Sequence, residues 1–333
     1  MHCELELRHR LEWRRRILDS TTPLPGAERY DNHRPLRVPG RFDNWRLLDF
    51  LRAYHPHVDL AEWSEILGAG HIRDHNRALP SSAIVRGGQE LIHLIPDCVE
   101  PDVSNDLGLI WEDASLLAVW KPAPLPVHPC GRFCRNTLIH FLRNAFPETR
   151  FRLAHRLDAD TTGLQLLTKT GEAAVGMQRQ FEERTIEKVY LAEVDPAPQD
   201  DEFTVKTAIS RRPSRAGSRR ASSDDTASKG LAARTSFRVI ERRDDGRAIV
   251  EARPLTGRTH QIRLHLRVNG TSVVGDHAYG RDLDSADAFT TNEPTLHLHS
   301  SSLKLRHPVS GEDLTLTAEA PAWAATTPSE IDR

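Results

Sequence analysis

Apolar and polar positions follow two different rhythms along this chain, and the change between them falls near residue 105. Residues 3–18 are arginine-rich and free of breakers, which predicts a helix, and Pro23, Pro25 and Gly26 end it. Residues 21–44 carry no sustained period and read as an irregular arm. Leu47, Leu48, Phe50 and Leu51 then mark a helical face. A second helical stretch over 60–67 runs into Gly68 and Gly70, and short strands are expected at 83–86 and 90–94. The Pro- and Asp-containing stretch 96–105 makes a linker.

From Leu107 onward the pattern is strands with interspersed helices. Residues 110–119 give two short apolar runs around Glu112-Asp113, as in a hairpin. Leu138, Ile139, Leu142 and Phe146 predict an amphipathic helix over 136–146, and Ala173, Val175, Met177 and Phe181 another over 172–183. Strand-like runs fall at 164–167, 189–194, 236–240 and 248–252. Residues 211–230 form a low-complexity stretch, longer than compact domains usually hold as a loop.

Composition narrows the class. The 333 residues suffice for a buried core and suggest two domains, and the 38% hydrophobic and 28% charged residues are those of a globular protein. Apolar runs are too short to span a bilayer and residues 1–16 too charged for a secretory signal, so a cytoplasmic protein with no membrane partner is expected. Cys3, Cys98, Cys130 and Cys134 are too scattered for a disulfide framework. Cys130, Cys134 and His128 invite a zinc reading, but no second ligand pair completes it, so no metal is expected. The net charge of −2 hides local excesses. Residues 206–220 and 253–267 are basic without a single acid, which fits a polyanion held on one face.

Two segments carry candidate chemistry. His155-Arg156-Leu157-Asp158-Ala159-Asp160-Thr161-Thr162-Gly163 sets a guanidinium and a carboxylate two apart before a small-residue turn and a strand. That arrangement keeps an Asp ionised and aimed, although by itself it equally describes a surface ion pair. Further on, Thr256-Gly257 makes a turn, and Thr259 is placed to cap a helix ending before Gly270. His260, Arg263 and Arg267 would share one face of that helix, with Ile262, Leu266 and Val268 inward. Such a face suits phosphate or carboxylate recognition, with an ordinary amphipathic surface helix as the plainer reading. Tyr190 opens a strand in Lys188-Val189-Tyr190, where a core or rim role is commonest.

Taken in order, Leu116-Leu117-Ala118-Val119-Trp120-Lys121-Pro122, Val127-His128-Pro129, His155 to Gly163, Lys188-Val189-Tyr190, Lys229-Gly230, Arg258 to Leu266, and Gly275-Asp276 with Tyr279-Gly280 closely resemble the RluA-type family of RNA pseudouridine synthases. The resemblance covers roughly residues 107–323. Thr162 stands where that family usually has Ser, Trp120 where Asn is frequent and Pro124 where Gly is common. The resemblance implies an α+β catalytic domain over 105–325, with a mixed, largely antiparallel sheet and a central cleft. It further implies isomerisation of uridine in ribosomal or transfer RNA, without cofactor or metal, by a monomer. Asp158, Tyr190 and Arg263 fall on its catalytic positions. Arg156 falls on an arginine that contacts RNA near the flipped base, and Arg258, His260 and Arg267 are taken as RNA-binding. Residues 45–98 more loosely resemble the small S4 RNA-binding domain, after an arm over 1–44, but Trp63-Ser64 stands where that domain usually has Ser-Arg.

The residues agree with this chemistry. Asp158 can act at C1′ as a nucleophile or assist glycal formation at C2′, and the sequence leaves both open. Tyr190 offers a ring to stack on uracil and a hydroxyl to help remove the C5 proton. Arg263 is expected to hold Asp158 ionised. A protein-kinase reading of His155-Arg156-Leu157-Asp158 fails, since Leu157 separates Arg from Asp and Gly163 takes the place of the required Asn. A non-catalytic RNA-binding protein on the same scaffold is the alternative, against which stand all three catalytic residue types.

Overall fold

The computed structural model describes residues 2–56, 58–210, 230–279 and 295–325. The basic stretch 211–220, singled out in the sequence, lies outside the described residues, as do Lys229 and Gly280. The chain divides into two compact units, one of Gly26–Pro101 and one of Met1–Pro25 with Asp102–Arg333. The expected arm over 1–44 is therefore split. Its first part is helix α1 (His2–Thr21) of the larger unit, and its second contributes strand β1 (Tyr30–Arg37) to the smaller.

The smaller unit continues with α2 (Leu47–Tyr54), α3 (Leu60–Gly68), β2 (Ile72–Asp74), β3 (Arg77–Ala78) and β4 (Glu90–Cys98). Its sheet is antiparallel in the order β1-β4-β2-β3. Both helices form where the period placed them. Leu47, Phe50 and Leu51 are fully buried, and the Asp59 carboxylate accepts the Glu62 N–H at 2.8 Å to cap α3. Strand β1 corrects the reading of 21–44 as irregular. Only Asn32 and Leu36 of its eight residues point inward, so the alternation was too polar to see, and its edge position tolerates Pro35. Residues 83–86 form no strand beyond a single bridge from Ile84 to Arg46. Trp63 is a core residue, 2% exposed.

The larger unit runs β5 (Gly108–Glu112), β6 (Leu116–Lys121), α4 (Leu138–Ala145), β7 (Arg152–Leu153), β8 (Thr162–Thr168), α5 (Gly171–Glu183) and β9 (Glu187–Asp195). It goes on with β10 (Glu202–Val205), β11 (Thr235–Arg242), β12 (Ala248–Pro254), α6 (Gln261–Val268), β13 (Ser272–Val273), β14 (Leu298–Arg306) and β15 (Asp313–Thr317). Among the described residues these strands make one eleven-stranded sheet, in the order β10-β11-β12-β9-β14-β8-β6-β5, with β7, β13 and β15 as side partners. Every pairing among these strands is antiparallel except β14 with β8, which is the mixed, largely antiparallel sheet that the family resemblance implies.

Strand alternation places a core on each face of the sheet's centre. Leu117, Val119 and Leu167 join Trp13 and Ile17 of α1 and Phe141 and Leu142 of α4 on one face. Leu116, Ala118, Leu164 and Leu166 join Ala173 and Met177 of α5 on the other. Buried on both sides, β6 and β8 read as nearly unbroken apolar runs. A third cluster packs Ile262 and Leu266 of α6 onto β9, β11 and β12. The segment before β8 and the helix after β12 are thus both seated on one rigid sheet.

Candidate active site

Asp158 lies between β7 and β8, and buried polar groups fix its loop from both sides. On one side, Gln165 of β8 accepts the Leu157 N–H at 3.2 Å and donates to the His155 carbonyl at 2.9 Å. His155 Nε2 accepts the Leu166 N–H at 3.0 Å. Burial pushes that imidazole down to about 3, so the accepting lone pair persists at any physiological pH. On the other side, the fully buried Lys121 ammonium donates to the carbonyls of Pro122, Leu125 and Ala159 at 2.8, 2.9 and 2.9 Å. Burial lowers Lys121 to about 7, with the carboxylates of Asp160 and Asp158 pulling it back up. Gly163 closes the turn at φ +99°, where an added Cβ would lie 2.3 Å from the Ser300 carbonyl of β14. Only glycine fits there.

Arg263 enters from α6, but its principal partner is Asp276 rather than Asp158, which corrects the expected pairing. Its Nε donates to Asp276 Oδ2 at 2.7 Å and its Nη2 to Oδ1 at 2.6 Å. Asp276 Oδ1 also accepts the N–H groups of Ala278 and Tyr279, each at 2.9 Å. The third nitrogen, Nη1, points at Asp158 Oδ2, 3.8 Å away. The guanidinium is 6% exposed and the Asp276 carboxylate 1%. Burial opposes both charges, yet each holds the other ionised. Arg263 is raised from its ordinary value, and Asp276 is lowered by the guanidinium and the two backbone donors. Asp158 is left with a 28% exposed side chain facing a cleft.

Tyr190 reaches the same cleft from β9, paired across the sheet with Ser300. Burial pushes its phenol up to about 12, and the Asp158 charge adds to the rise. The hydroxyl is therefore a neutral donor at pH 7. Lys188, two residues earlier, lines the cleft too and is lowered to about 8 by burial and by Arg184. Asp160, beside Arg263 and Lys121, is raised by burial.

The cleft has a volume of about 870 Å³. Arg156, Asp158, Tyr190, Arg258, His260 and Arg263 all line it, so six of the seven residues singled out in the sequence meet there. Arg156 is exposed, and Arg258 donates from Nε to the Ala232 carbonyl at 3.4 Å. Arg267 is exposed but does not line the cleft, which corrects the single-face reading of the helix. Val268 is 38% exposed rather than inward. The cap is also displaced by one residue. His260, in a left-handed conformation, occupies the position given to Thr259, because the helix starts only at Gln261. Lys121, Gln165, Asp276 and Tyr279 escaped the sequence reading as site-building groups. Their signal is weak, since Lys121 and Gln165 act through backbone groups, which no side-chain pattern encodes, and Asp276 and Tyr279 meet side chains 13 and 19 residues away.

A family model described as RNA pseudouridylate synthase matches residues 115–267. The ribosomal large subunit pseudouridine synthase D of Nitrosomonas europaea is 35% identical over 306 residues, which are 87% of this chain and 85% of that one. The mitochondrial tRNA pseudouridine(32) synthase of Saccharomyces cerevisiae is 32% identical over 216 residues, 65% of this chain and 46% of that one. Among solved structures, human RNA Pseudouridylate Synthase Domain Containing 1 superposes with a TM-score of 0.55 at 28% identity, covering 67% of this chain and 87% of that one.

Proposed function

The chain belongs to the RluA-type family of RNA pseudouridine synthases, and on that premise we propose that it isomerises uridine in ribosomal or transfer RNA with Asp158 acting at the ribose. The reaction breaks the N1–C1′ bond and forms C5–C1′. The C5 proton leaves and N1 gains one, so atoms balance without a donor or oxidant. Asp158 serves at C1′ as nucleophile or at C2′ as base. The observation that carries this reading is the arginine fork. Two nitrogens of Arg263 are fixed on Asp276, and the third is aimed at an Asp158 that stays open to the cleft. A carboxylate steadied at 3.8 Å, rather than locked in a direct pair, keeps a lone pair free for the sugar.

Tyr190 lies under the space where a flipped base would stack, and its neutral phenol relays the C5 proton by passing its own toward Asp158. The cleft volume of about 870 Å³ suits a single extruded nucleotide with its flanking phosphates. Extrusion costs about a few kcal/mol, which Arg156, Arg258 and Lys188 offset through phosphate contacts at the rim. No helix among the described residues is long and apolar enough to cross a membrane. The Cys98 thiol is free, which supports the further proposal of a cytoplasmic enzyme, and we take it to act as a monomer. Light scattering of the purified chain tests the latter. Replacing Asp158 by Asn should leave RNA binding intact and end isomerisation, whereas a non-catalytic RNA-binding protein would show binding without conversion already in the wild type.

A further inference from the structure

We infer that His260 is a positioning residue for the Asp158 carboxylate, held in a single tautomer by the Tyr279 hydroxyl. The inference rests on the role proposed above for Asp158 and adds to it the group that orients it. His260 occupies the N-cap of α6, yet its side chain caps nothing. Its backbone sits at φ +57°, a conformation that is strained for a non-glycine residue and persists where surrounding structure requires it. The strained backbone sends the imidazole into the cleft. There Nδ1 lies 2.8 Å from the Tyr279 hydroxyl and Nε2 lies 3.8 Å from Asp158 Oδ2. The two rings meet edge to face, with centroids 5.5 Å apart.

Only one tautomer suits both neighbours. A lone pair on Nε2 would face the carboxylate and be repelled. With the Tyr279 hydroxyl donating to Nδ1, the proton sits on Nε2 and faces Asp158. Nε2–H of His260 and Nη1 of Arg263 then converge on the same carboxylate oxygen, each at 3.8 Å, and Oδ1 is left toward the ribose. The charged groups around the imidazole come from three segments: Asp158 and Asp160 from the loop before β8, Arg263 from α6, and Asp276 from the segment after β13. Burial and Arg263 lower its pKa, and the three carboxylates oppose them, leaving it below the ordinary value. A neutral ring orients Asp158 without cancelling its charge. Tyr279 also stacks under the Arg263 guanidinium, 5.1 Å from the ring centroid, so one tyrosine fixes both donors.

The test uses total ribosomal and transfer RNA labelled with tritium at uridine C5, taken from cells lacking this protein, since C5–C1′ bond formation releases that label. Tyr279→Phe keeps the ring beneath Arg263 and removes only the hydroxyl. It should lower kcat about tenfold with KM within about twofold, and move the acid limb of the rate to higher pH because Nδ1 protonates more readily. His260→Leu should lose about a hundredfold, and His260→Gln, whose amide N–H can replace Nε2–H, should recover at least about tenfold of that. A Tyr279→Phe rate and acid limb equal to wild type would overturn the inference. So would a loss that is uniform at every pH, or a His260→Gln variant no better than His260→Leu. Should His260→Leu fail to fold, the Tyr279→Phe pH profile and the His260→Gln rate still decide. Asp158→Asn, assayed alongside, separates the two levels. If it is active, the role of Asp158 itself falls; if it is inactive while Tyr279→Phe matches wild type, only the role of His260 does.

Discussion

Replacing Asp276 by Asn removes one charge and almost no volume, and it strikes the group that aims Arg263. Asp276 Oδ1 accepts from Arg263 Nη2 and from the backbone of Ala278 and Tyr279, and Oδ2 accepts from Arg263 Nε. Asparagine can keep the contacts at one oxygen, but it turns an amide N–H₂ against the guanidinium. With side chains 6% and 1% exposed, the pair is fully desolvated. Breaking such a pair leaves a buried unpaired charge, at about 3–5 kcal/mol. In a chain of this size each kcal/mol lowers the melting temperature by about 1–2 °C, so a fall on the order of 5 °C is expected by calorimetry. The pH dependence has a definite sign. Asp276 is held below the ordinary carboxylate value, so its contribution is complete above about pH 4 and is lost as pH falls through its lower native value. The gap between wild type and Asp276→Asn should therefore narrow on acidification. Activity should fall about a hundredfold, because the guanidinium is no longer held on a fixed line to Asp158. A melting temperature within about 1 °C of wild type, or a gap that stays constant from neutral pH into acid, would show that Asp276 does not hold Arg263 in this way.

Gly163→Ala forces a Cβ to within 2.3 Å of the Ser300 carbonyl at φ +99°, so it should destabilise by about 3 kcal/mol or more and lower activity by moving the Asp158 loop, as urea unfolding and rate measurements would show. Lys188, lowered to about 8, should lose its charge as pH rises from about 7 to 9, so RNA affinity should weaken over that range in wild type and stay flat in Lys188→Met when followed by filter binding. Arg156→Ala, on the cleft, should weaken RNA binding about tenfold with a shallower salt dependence, whereas Arg267→Ala, outside it, should change affinity less than about twofold.

How much of this was legible in the sequence depended on whether a residue's partner was local. The helices over 47–54, 60–68, 138–145 and 171–183 were readable because their apolar periods are complete within each segment. Strand β1 was not, since its burial depends on β4 some fifty residues later and only Asn32 and Leu36 turn inward. The same rule holds at the site. Asp158, Tyr190 and Arg263 stand in short, dense motifs that the family resemblance marks, and all three line the cleft. Asp276 lies thirteen residues beyond Arg263 across a turn, and Lys121 acts through carbonyls, which no side-chain pattern encodes. The expected Asp158–Arg263 pair was right in direction and wrong in rank, because the sequence could not show a second carboxylate reaching the guanidinium first.

The role proposed for Asp158 is to act on a uridine held in the cleft it shares with Tyr190 and Arg263. Single-turnover tritium release from RNA labelled at uridine C5, measured for wild type and for Asp158→Asn at equal RNA occupancy, tests it most directly. The wild type should release one tritium per pseudouridine formed and Asp158→Asn none, with RNA affinity unchanged. Release by Asp158→Asn within about tenfold of the wild-type rate would contradict it.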